Sequence, residues 1–128
     1  ISRERRQLSD AELELMRVIG SRGGRARFAQ AMEALEGQGK DWKANTVLTF
    51  LSRLVEKEML AVEKNGRLNV YVALLREEDY ADQQTRSFLD KVYGGNAGRL
   101  VSSLLKQDCL TAEDLDELKA FWEKGGKA

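Results

Sequence analysis

Apolar residues recur at helical spacing in three consecutive segments, and this periodicity constrains the fold of the chain more than any other feature. The third segment, residues 43–57, carries five apolar residues at i, i+3, i+4, i+7 and i+8: Val47, Phe50, Leu51, Leu54 and Val55. Such a stripe predicts one buried face of an amphipathic helix. Similar stripes predict helices over 9–19, where Ser9 and Glu12 form a capping box, and over 27–36.

A β-hairpin is predicted directly after the third helix. Short strands are expected at 60–64 and 68–74, joined by Asn65-Gly66. An Asn-Gly pair is a strong hairpin signal, because both residues accept positive φ in a type I′ turn. Three helices closed by a hairpin have the order of a winged helix-turn-helix. In that fold the second helix of the pair, here 43–57, presents its N-terminal end to base edges.

The rest of the chain is predicted to be helical, over 77–93, over 97–107, and in a last helix capped by Thr111 and Asp114. Its apolar residues form either an internal mini-core or a dimer interface. Three short helices bury little surface alone, so pairing with a second chain is favoured. The residues predicted for dimerisation are Phe88, Val92, Leu100, Leu104, Leu118 and Trp122.

The predicted fold class is therefore mainly α with a small β-hairpin: a winged helix-turn-helix followed by a helical dimerisation region. Residues 1–75 are expected to form the DNA-binding domain and residues 76–128 the dimerisation region. Charge divides in the same way, since residues 1–76 hold 14 Lys and Arg against 10 Asp and Glu, whereas residues 77–128 hold 7 against 11. Ordinary scatter of solvated charges would account for this asymmetry equally well.

Composition argues against several classes of function. The 128 residues contain no histidine and one cysteine, Cys109, so neither a metal cluster nor the commonest general base is available. We therefore expect no enzymatic activity and no cofactor. A single cysteine also suits a reducing compartment. The sequence has neither a bilayer-spanning apolar run nor a signal-peptide pattern, so a cytoplasmic protein without a membrane partner is expected.

The outward face of the 43–57 helix carries the residues predicted to bind double-stranded DNA. No acidic residue precedes Glu56 there, so phosphates would not be repelled. Hydroxyl, amide and methyl groups suit base edges, whereas cations at the helix ends and the hairpin tip suit phosphates. The predicted DNA-binding residues are Lys43, Asn45, Thr46, Leu48, Thr49, Arg53, Lys64 and Arg67. An N-terminal tail with Arg3, Arg5 and Arg6 could follow the DNA backbone, although such tails are more often only solvated.

Two other interpretations stay open from these residues alone. The 43–57 segment could be a surface helix of a small bundle, although a bundle needs no hairpin. The chain could also be a winged-helix protein-interaction module without a role in DNA binding. That alternative favours acidic residues on the outer face of the helix, where they are mostly absent.

Residues 40–54, KDWKANTVLTFLSRL, resemble the recognition-helix signature of the penicillinase-repressor family, which represses β-lactamase and methicillin-resistance genes and has copper-responsive relatives. LSDAE at 8–12, KVYGG at 91–95 and LTAEDL at 110–115 match the same family at the same spacing. The resemblance implies a homodimeric repressor on a dyad operator built on TACA/TGTA half-sites. It also places four residues at DNA-contacting positions: Lys43, Thr46, Thr49 and Arg53.

Several departures from the family pattern qualify this resemblance. Leu48 stands where relatives often have arginine. Glu58 replaces the glycine after the recognition helix, so another C-cap is expected. The Asn-Phe bond cleaved in the β-lactam branch corresponds to Ser103-Leu104, which implies no cleavage there and leaves a sensor protease open as a further partner. Cys109 alone cannot replace the cysteine cluster of the copper branch.

Overall fold

The structure, a computed structural model, describes residues 7–126, so the arginine tail at 3–6 lies outside the described residues. The N-terminal part contains α1 (Asp10–Gly20), β1 (Arg25–Arg27), α2 (Phe28–Gly37), α3 (Ala44–Glu56), β2 (Leu60–Asn65) and β3 (Leu68–Ala73). The C-terminal part contains α4 (Glu77–Tyr93), α5 (Ala97–Lys106), α6 (Ala112–Phe121) and a final π-helical turn, Trp122–Gly126. Every predicted helix and strand is present, with bounds that differ from the predicted ones by at most one residue.

Local capping sets several of these bounds. At α1, the Ser9 hydroxyl accepts the Glu12 N–H at 3.2 Å, and the Glu12 carboxylate accepts the Ser9 N–H at 2.8 Å. Thr111 and Asp114 make the same reciprocal pair at α6. Each pair satisfies N–H groups that have no partner inside the helix, which confirms both predicted capping boxes.

The small sheet has three antiparallel strands in the order β1-β3-β2, one strand more than the predicted hairpin. β1 is only three residues long and pairs Ala26 with Tyr71. A strand this short has no alternation for a sequence pattern to detect. It forms because β3 offers it a partner and because the buried Ala26 joins the core.

The hairpin turn differs from the prediction by one residue. Asn65 pairs with Leu68, so the two connecting residues are Gly66 and Arg67 rather than Asn65 and Gly66. Gly66 has φ 68°, whereas neither Asn65 nor Arg67 has positive φ. Glycine at the first connecting position is the pattern of a type II′ turn, so the predicted type I′ turn is wrong.

One hydrophobic core joins α1, α2, α3 and the sheet. Its largest fully buried apolar side chains come from all these parts of the fold: Leu15, Ile19, Leu35, Leu51, Leu54, Met59 and Leu60. Tyr71 and Ala73 of β3 pack against this cluster from the sheet. The core holds the three helices and the hairpin as one body, which is the arrangement of a winged helix.

The chain divides into two compact units, residues 1–85 and 86–128, of which 7–85 and 86–126 are described. The first unit extends ten residues beyond the domain boundary expected at residue 75. The reason is Tyr80, which is buried in the core and whose hydroxyl accepts the Leu8 N–H at 2.8 Å. Within residues 7–126, no helix combines the length and apolarity needed to cross a bilayer.

Candidate nucleic-acid interface

The helix α3 is anchored by one face and open on the other. Val47, Leu51 and Leu54 are completely buried, and the helix packs against α1, α2 and β2. Phe50 and Val55, which complete the predicted apolar stripe, are half-buried along its two borders. The anchored face therefore fixes which side chains α3 presents to a partner.

All six residues predicted to contact DNA from α3 and its N-cap are exposed: Lys43, Asn45, Thr46, Leu48, Thr49 and Arg53. Ser52 is exposed beside them, and Glu56 in the last turn is the first carboxylate of this face. Leu48 is 42% exposed and is the apolar member of this face. The face thus combines neutral polar groups, one apolar group and cations at both ends of the helix.

Two threonines on this face differ in their hydrogen bonding. The Thr49 hydroxyl donates to the Asn45 carbonyl oxygen at 2.9 Å, one helical turn earlier. The Thr46 hydroxyl has no hydrogen-bond partner within residues 7–126. Because a hydroxyl has one proton and two lone pairs, Thr49 retains only acceptor capacity toward a ligand, whereas Thr46 can donate or accept.

Arg53 lies over an aromatic pair at the border of this face. Its guanidinium carbon is 5.9 Å from the centroid of the Phe50 ring. Trp42, just before the helix, meets Phe50 edge-to-face with the ring centroids 5.8 Å apart and the planes at 65°. Helical periodicity places Phe50 only in the apolar stripe, although its i, i+3 spacing from Arg53 on a helix could have indicated this contact.

The C-terminal end of α3 closes with the bonds of a Schellman motif. The Glu58 N–H donates to the Val55 carbonyl at 3.0 Å, and the Met59 N–H donates to the Leu54 carbonyl at 2.9 Å. Glu58 has φ 61°, the left-handed conformation that glycine adopts most easily. The expectation of another C-cap is therefore wrong, because Glu58 keeps the glycine geometry at a cost in strain.

A buried carboxylate ties the end of α3 to α1. Glu12 is 2% exposed, and one of its carboxylate oxygens accepts the Lys57 ammonium at 2.7 Å. Burial alone would raise the pKa of Glu12, but hydrogen bonds from Lys57 and Ser9 outweigh it and lower the pKa below its ordinary value of 4.5. Lys57 also donates to the Gln7 carbonyl at 3.1 Å. These contacts fix the orientation of α3 where its core contacts end.

The tip of the hairpin carries the two cations that were predicted for a wing. Lys64 lies near the end of β2 and Arg67 in the turn, and both are exposed. Nearer the base of the sheet, Arg25 forms an ion pair with Glu63 at 2.6 Å. This ion pair offsets the charge of Arg25 on β1, whereas Lys64 and Arg67 at the tip make no ion pair with the residues that the structure describes.

The residues predicted for dimerisation lie on helices that bury very little. Among the described residues of the second unit, α5 and α6 contain no buried side chain, and the two helices make no extensive contact with each other. Leu100 and Leu104 are half-buried, whereas Phe88, Val92, Leu118 and Trp122 are 49–59% exposed. More large apolar side chains are exposed beside them: Val101, Leu105, Leu115 and Phe121.

The comparison with known families agrees with this architecture. The family model for the penicillinase repressor matches residues 8–124. The chain belongs to the penicillinase repressor family. This membership confirms the resemblance seen in the recognition-helix signature. Across residues 7–126, no group of three or more His, Cys, Asp or Glu side chains is placed to hold a metal ion.

Characterised relatives in the penicillinase repressor family are similar over nearly their full length. The chain is 34% identical to the penicillinase repressor of Bacillus licheniformis, covering 92% of this chain and 91% of that protein. It is 28% identical to the methicillin resistance regulatory protein MecI of Staphylococcus aureus strain N315, covering 92% and 94%.

Solved structures match the winged-helix part. The solution structure of the DNA-binding domain of the repressor BlaI superposes with a TM-score of 0.50 at 36% identity, covering 58% of this chain and 88% of that one. The monomeric form of Bacillus licheniformis BlaI in complex with the blaP half-operator gives the same values. The predicted winged helix-turn-helix is thereby confirmed.

Proposed function

We propose that this chain is a transcriptional repressor that binds operator DNA as a homodimer, with α3 in the major groove. The observation that supports the proposal most is the exposed face of α3, which carries hydroxyl, amide and cationic groups and no carboxylate before Glu56. A helix anchored by three buried side chains can hold such groups in a fixed register against base edges. The BlaI relative binds a half-operator in its solved complex, which supports the same role here.

Each exposed residue of α3 has chemistry that suits one part of a duplex. Asn45, Thr46 and Thr49 can hydrogen-bond to base edges in the major groove. Leu48 can pack on the methyl group of a thymine. Lys43 and Arg53 provide the positive charge for phosphates, which would position the helix without selecting a sequence.

The hairpin provides a second contact. Lys64 and Arg67 are exposed at its tip and would meet a phosphate beside the half-site. A contact of this kind adds affinity and salt dependence, and it adds little sequence preference.

A homodimer explains why the second unit leaves its apolar side chains exposed. Soluble monomers rarely expose large contiguous apolar patches, and helices that make no extensive contact with one another need another partner. A second copy would cover these helices and bring two α3 helices to a dyad operator, whose two-fold symmetry matches that of the dimer.

A sensor protease stays open as a partner, but the residues at the Ser103-Leu104 bond do not favour cleavage there. Ser103-Leu104, the bond that corresponds to the cleavage site of relatives, lies within α5, and the Ser103 hydroxyl accepts the Gln107 side chain at 2.9 Å. Neither the Asn nor the Phe between which the β-lactam branch is cleaved is present at this bond. We therefore propose that repression is relieved without cleavage at this position.

The test is fluorescence anisotropy with a labelled duplex that carries TACA and TGTA half-sites as a dyad, beside a scrambled duplex of equal length. We expect a complex that depends on the dyad and whose log affinity falls linearly with log salt concentration. Arg53→Ala should lower affinity and reduce the magnitude of the salt slope by about 1.8, about 0.9 for each of the two Arg53 side chains of the dimer, whereas Thr46→Ala should lower affinity with the slope unchanged. Equal affinity for both duplexes at low salt would instead favour the protein-interaction module.

A further inference from the structure

The aromatic ring of Phe50 is the observation from which this inference starts. The ring is half-buried, so its inner part joins the core cluster while its outer part faces the guanidinium of Arg53. Trp42 packs against the same ring at a centroid distance of 5.8 Å, which limits the positions that the ring can take. The Arg53 guanidinium makes no hydrogen bond or ion pair with any residue in the range 7–126, and only the backbone carbonyl of Arg53 is engaged at this end of the helix, by the Lys57 N–H at 2.9 Å.

Three other arginines of the first unit are held in a different way. Arg17 pairs with Glu77 at 3.5 Å, Arg25 with Glu63 at 2.6 Å, and Arg76 with Asp79 at 3.0 Å. A carboxylate partner orders an arginine, but it also cancels the charge that a phosphate would bind. An aromatic ring attracts the cation through its quadrupole and leaves the net charge intact.

We infer that Phe50, braced by Trp42, is a positioning residue that holds Arg53 extended on the DNA-facing side of α3 before the DNA arrives. This inference rests on the proposed function and adds the role of a residue that need not touch DNA itself. An arginine side chain loses considerable rotamer freedom when it is fixed on a phosphate. If the Phe50 ring already restricts those rotamers in the free protein, the Arg53 side chain loses less conformational entropy on binding DNA.

The test is a double-mutant cycle on binding of the dyad duplex. Phe50→Leu keeps an apolar side chain in the core and removes the aromatic face, and we expect it to weaken binding by about two- to fivefold. In the Arg53→Ala background the same substitution should have no further effect, because the cation that the ring holds is gone. Phe50→Tyr should restore most of the affinity, since it restores the ring.

Val55→Ala is the matched control for loss of packing. Val55 is also half-buried on α3, on the opposite border of the helix from Phe50 and Arg53. We expect this variant to lower the melting temperature without any coupling to Arg53→Ala in DNA affinity. Coupling of similar size between Arg53→Ala and each of Phe50→Leu and Val55→Ala would show that Phe50 has a purely structural effect. That result would overturn the inference.

A measurement without DNA completes the test. The side-chain NMR resonances of Arg53 should be shifted by the ring current of Phe50 in the free protein, and Phe50→Leu should abolish the shift. Absence of this shift in the unchanged chain would overturn the inference. Fold-changes in DNA affinity for Phe50→Leu and Arg53→Ala that multiply in the double variant, and so show no coupling, would overturn it too. Either result would leave the repressor proposal intact. Failure of the unchanged chain to prefer the dyad duplex would overturn both.

Discussion

The hydroxyl proton of Thr49 is already used in a hydrogen bond within α3, and this restricts the base groups that Thr49 can bind. The proton goes to the Asn45 carbonyl at 2.9 Å, so the oxygen can only accept from a base. In the major groove, adenine N6 and cytosine N4 are donors, whereas guanine O6 and N7 and thymine O4 are acceptors. Thr49 is therefore expected to select an amino group through its oxygen, or a thymine methyl through its own methyl.

Replacing Thr49 by valine should weaken operator binding by about two- to tenfold, because the shape is kept while the acceptor is lost. Anisotropy titrations measure the affinity, and thermal unfolding should show little change. Thr85→Val is the matched control, since the Thr85 hydroxyl makes the same bond to the Ala81 carbonyl at 2.8 Å on α4. An equal loss of affinity in the two variants would contradict a direct role for Thr49.

Glu58 stores backbone strain after the recognition helix. With φ 61° it occupies a conformation that costs an L-residue about 1–2 kcal/mol, of which glycine's extra chain entropy offsets about 0.5–1 kcal/mol. Glu58→Gly should therefore raise the free energy of unfolding by about 0.5–1 kcal/mol in urea titrations. Glu56→Gly, two residues earlier at the right-handed end of α3, should lower it by about 1 kcal/mol. Destabilisation by both substitutions would mean that strain at Glu58 is not the dominant effect.

At the scale of elements, the contact between Glu12 and Lys57 fastens α3 to α1. Because folding lowers the pKa of Glu12, the carboxylate contributes stability above its ordinary pKa of 4.5, and this contribution is lost as the pH falls through the lowered value. The contact joins the first turn of one helix to the C-cap of another, so its loss should loosen the recognition helix rather than unfold a local turn.

Glu12→Gln should lower the free energy of unfolding by about 1–3 kcal/mol near neutral pH, since Lys57 loses its anionic partner. The difference between this variant and the unchanged chain should begin to shrink below pH 4.5, where the carboxylate of the unfolded chain becomes protonated, and should be lost as the pH falls through the lowered pKa of the native carboxylate. Denaturant titrations at a series of pH values measure it. Glu14→Gln, which removes a weaker 3.7 Å pair with exposed Arg17, should have little effect at any pH. A constant difference across the series would contradict the assignment.

Elements were predictable wherever their determinants are local in sequence. The stripe Val47, Leu51 and Leu54 and the capping pair of Ser9 and Glu12 each lie within one helix, so periodicity and capping found those helices within two residues. The strand β1 and the one-residue shift of the hairpin turn escaped prediction, because both depend on which residues of β3 are available for pairing. Likewise, the exposed face of α3 followed from periodicity, but the brace of Trp42 and Phe50 required the loop before the helix to be placed in space.

At the scale of the whole molecule, the first unit ends later than its sequence pattern indicates. A change from strand to helix after residue 75 predicted the boundary there, yet Tyr80 returns to the core and accepts the Leu8 N–H. A contact across 72 residues leaves no periodic trace in the sequence. The start of α4 therefore belongs to the first unit, and a fragment that ends at residue 75 would lack part of its core.

Leu118→Glu should convert the proposed dimer into a monomer, because it places a charge among apolar residues that a second chain would cover. Sedimentation equilibrium at micromolar protein measures the association. Leu74→Glu is the control, since Leu74 is 57% exposed in the first unit, close to the 51% of Leu118. A change of mass in the Leu74 variant, or an unchanged dimer in the Leu118 variant, would contradict the assignment of the interface.

The unburied helices α5 and α6 have a consequence for how such a molecule responds to its own abundance. If these helices gain their packing only when two chains meet, then folding of the C-terminal unit and assembly are one thermodynamic event. The population able to occupy both halves of an operator then rises with the square of the free chain concentration. When cell growth dilutes the protein faster than it is synthesised, occupancy of the operator would therefore fall sharply. The number of copies per cell alone would then switch repression on or off.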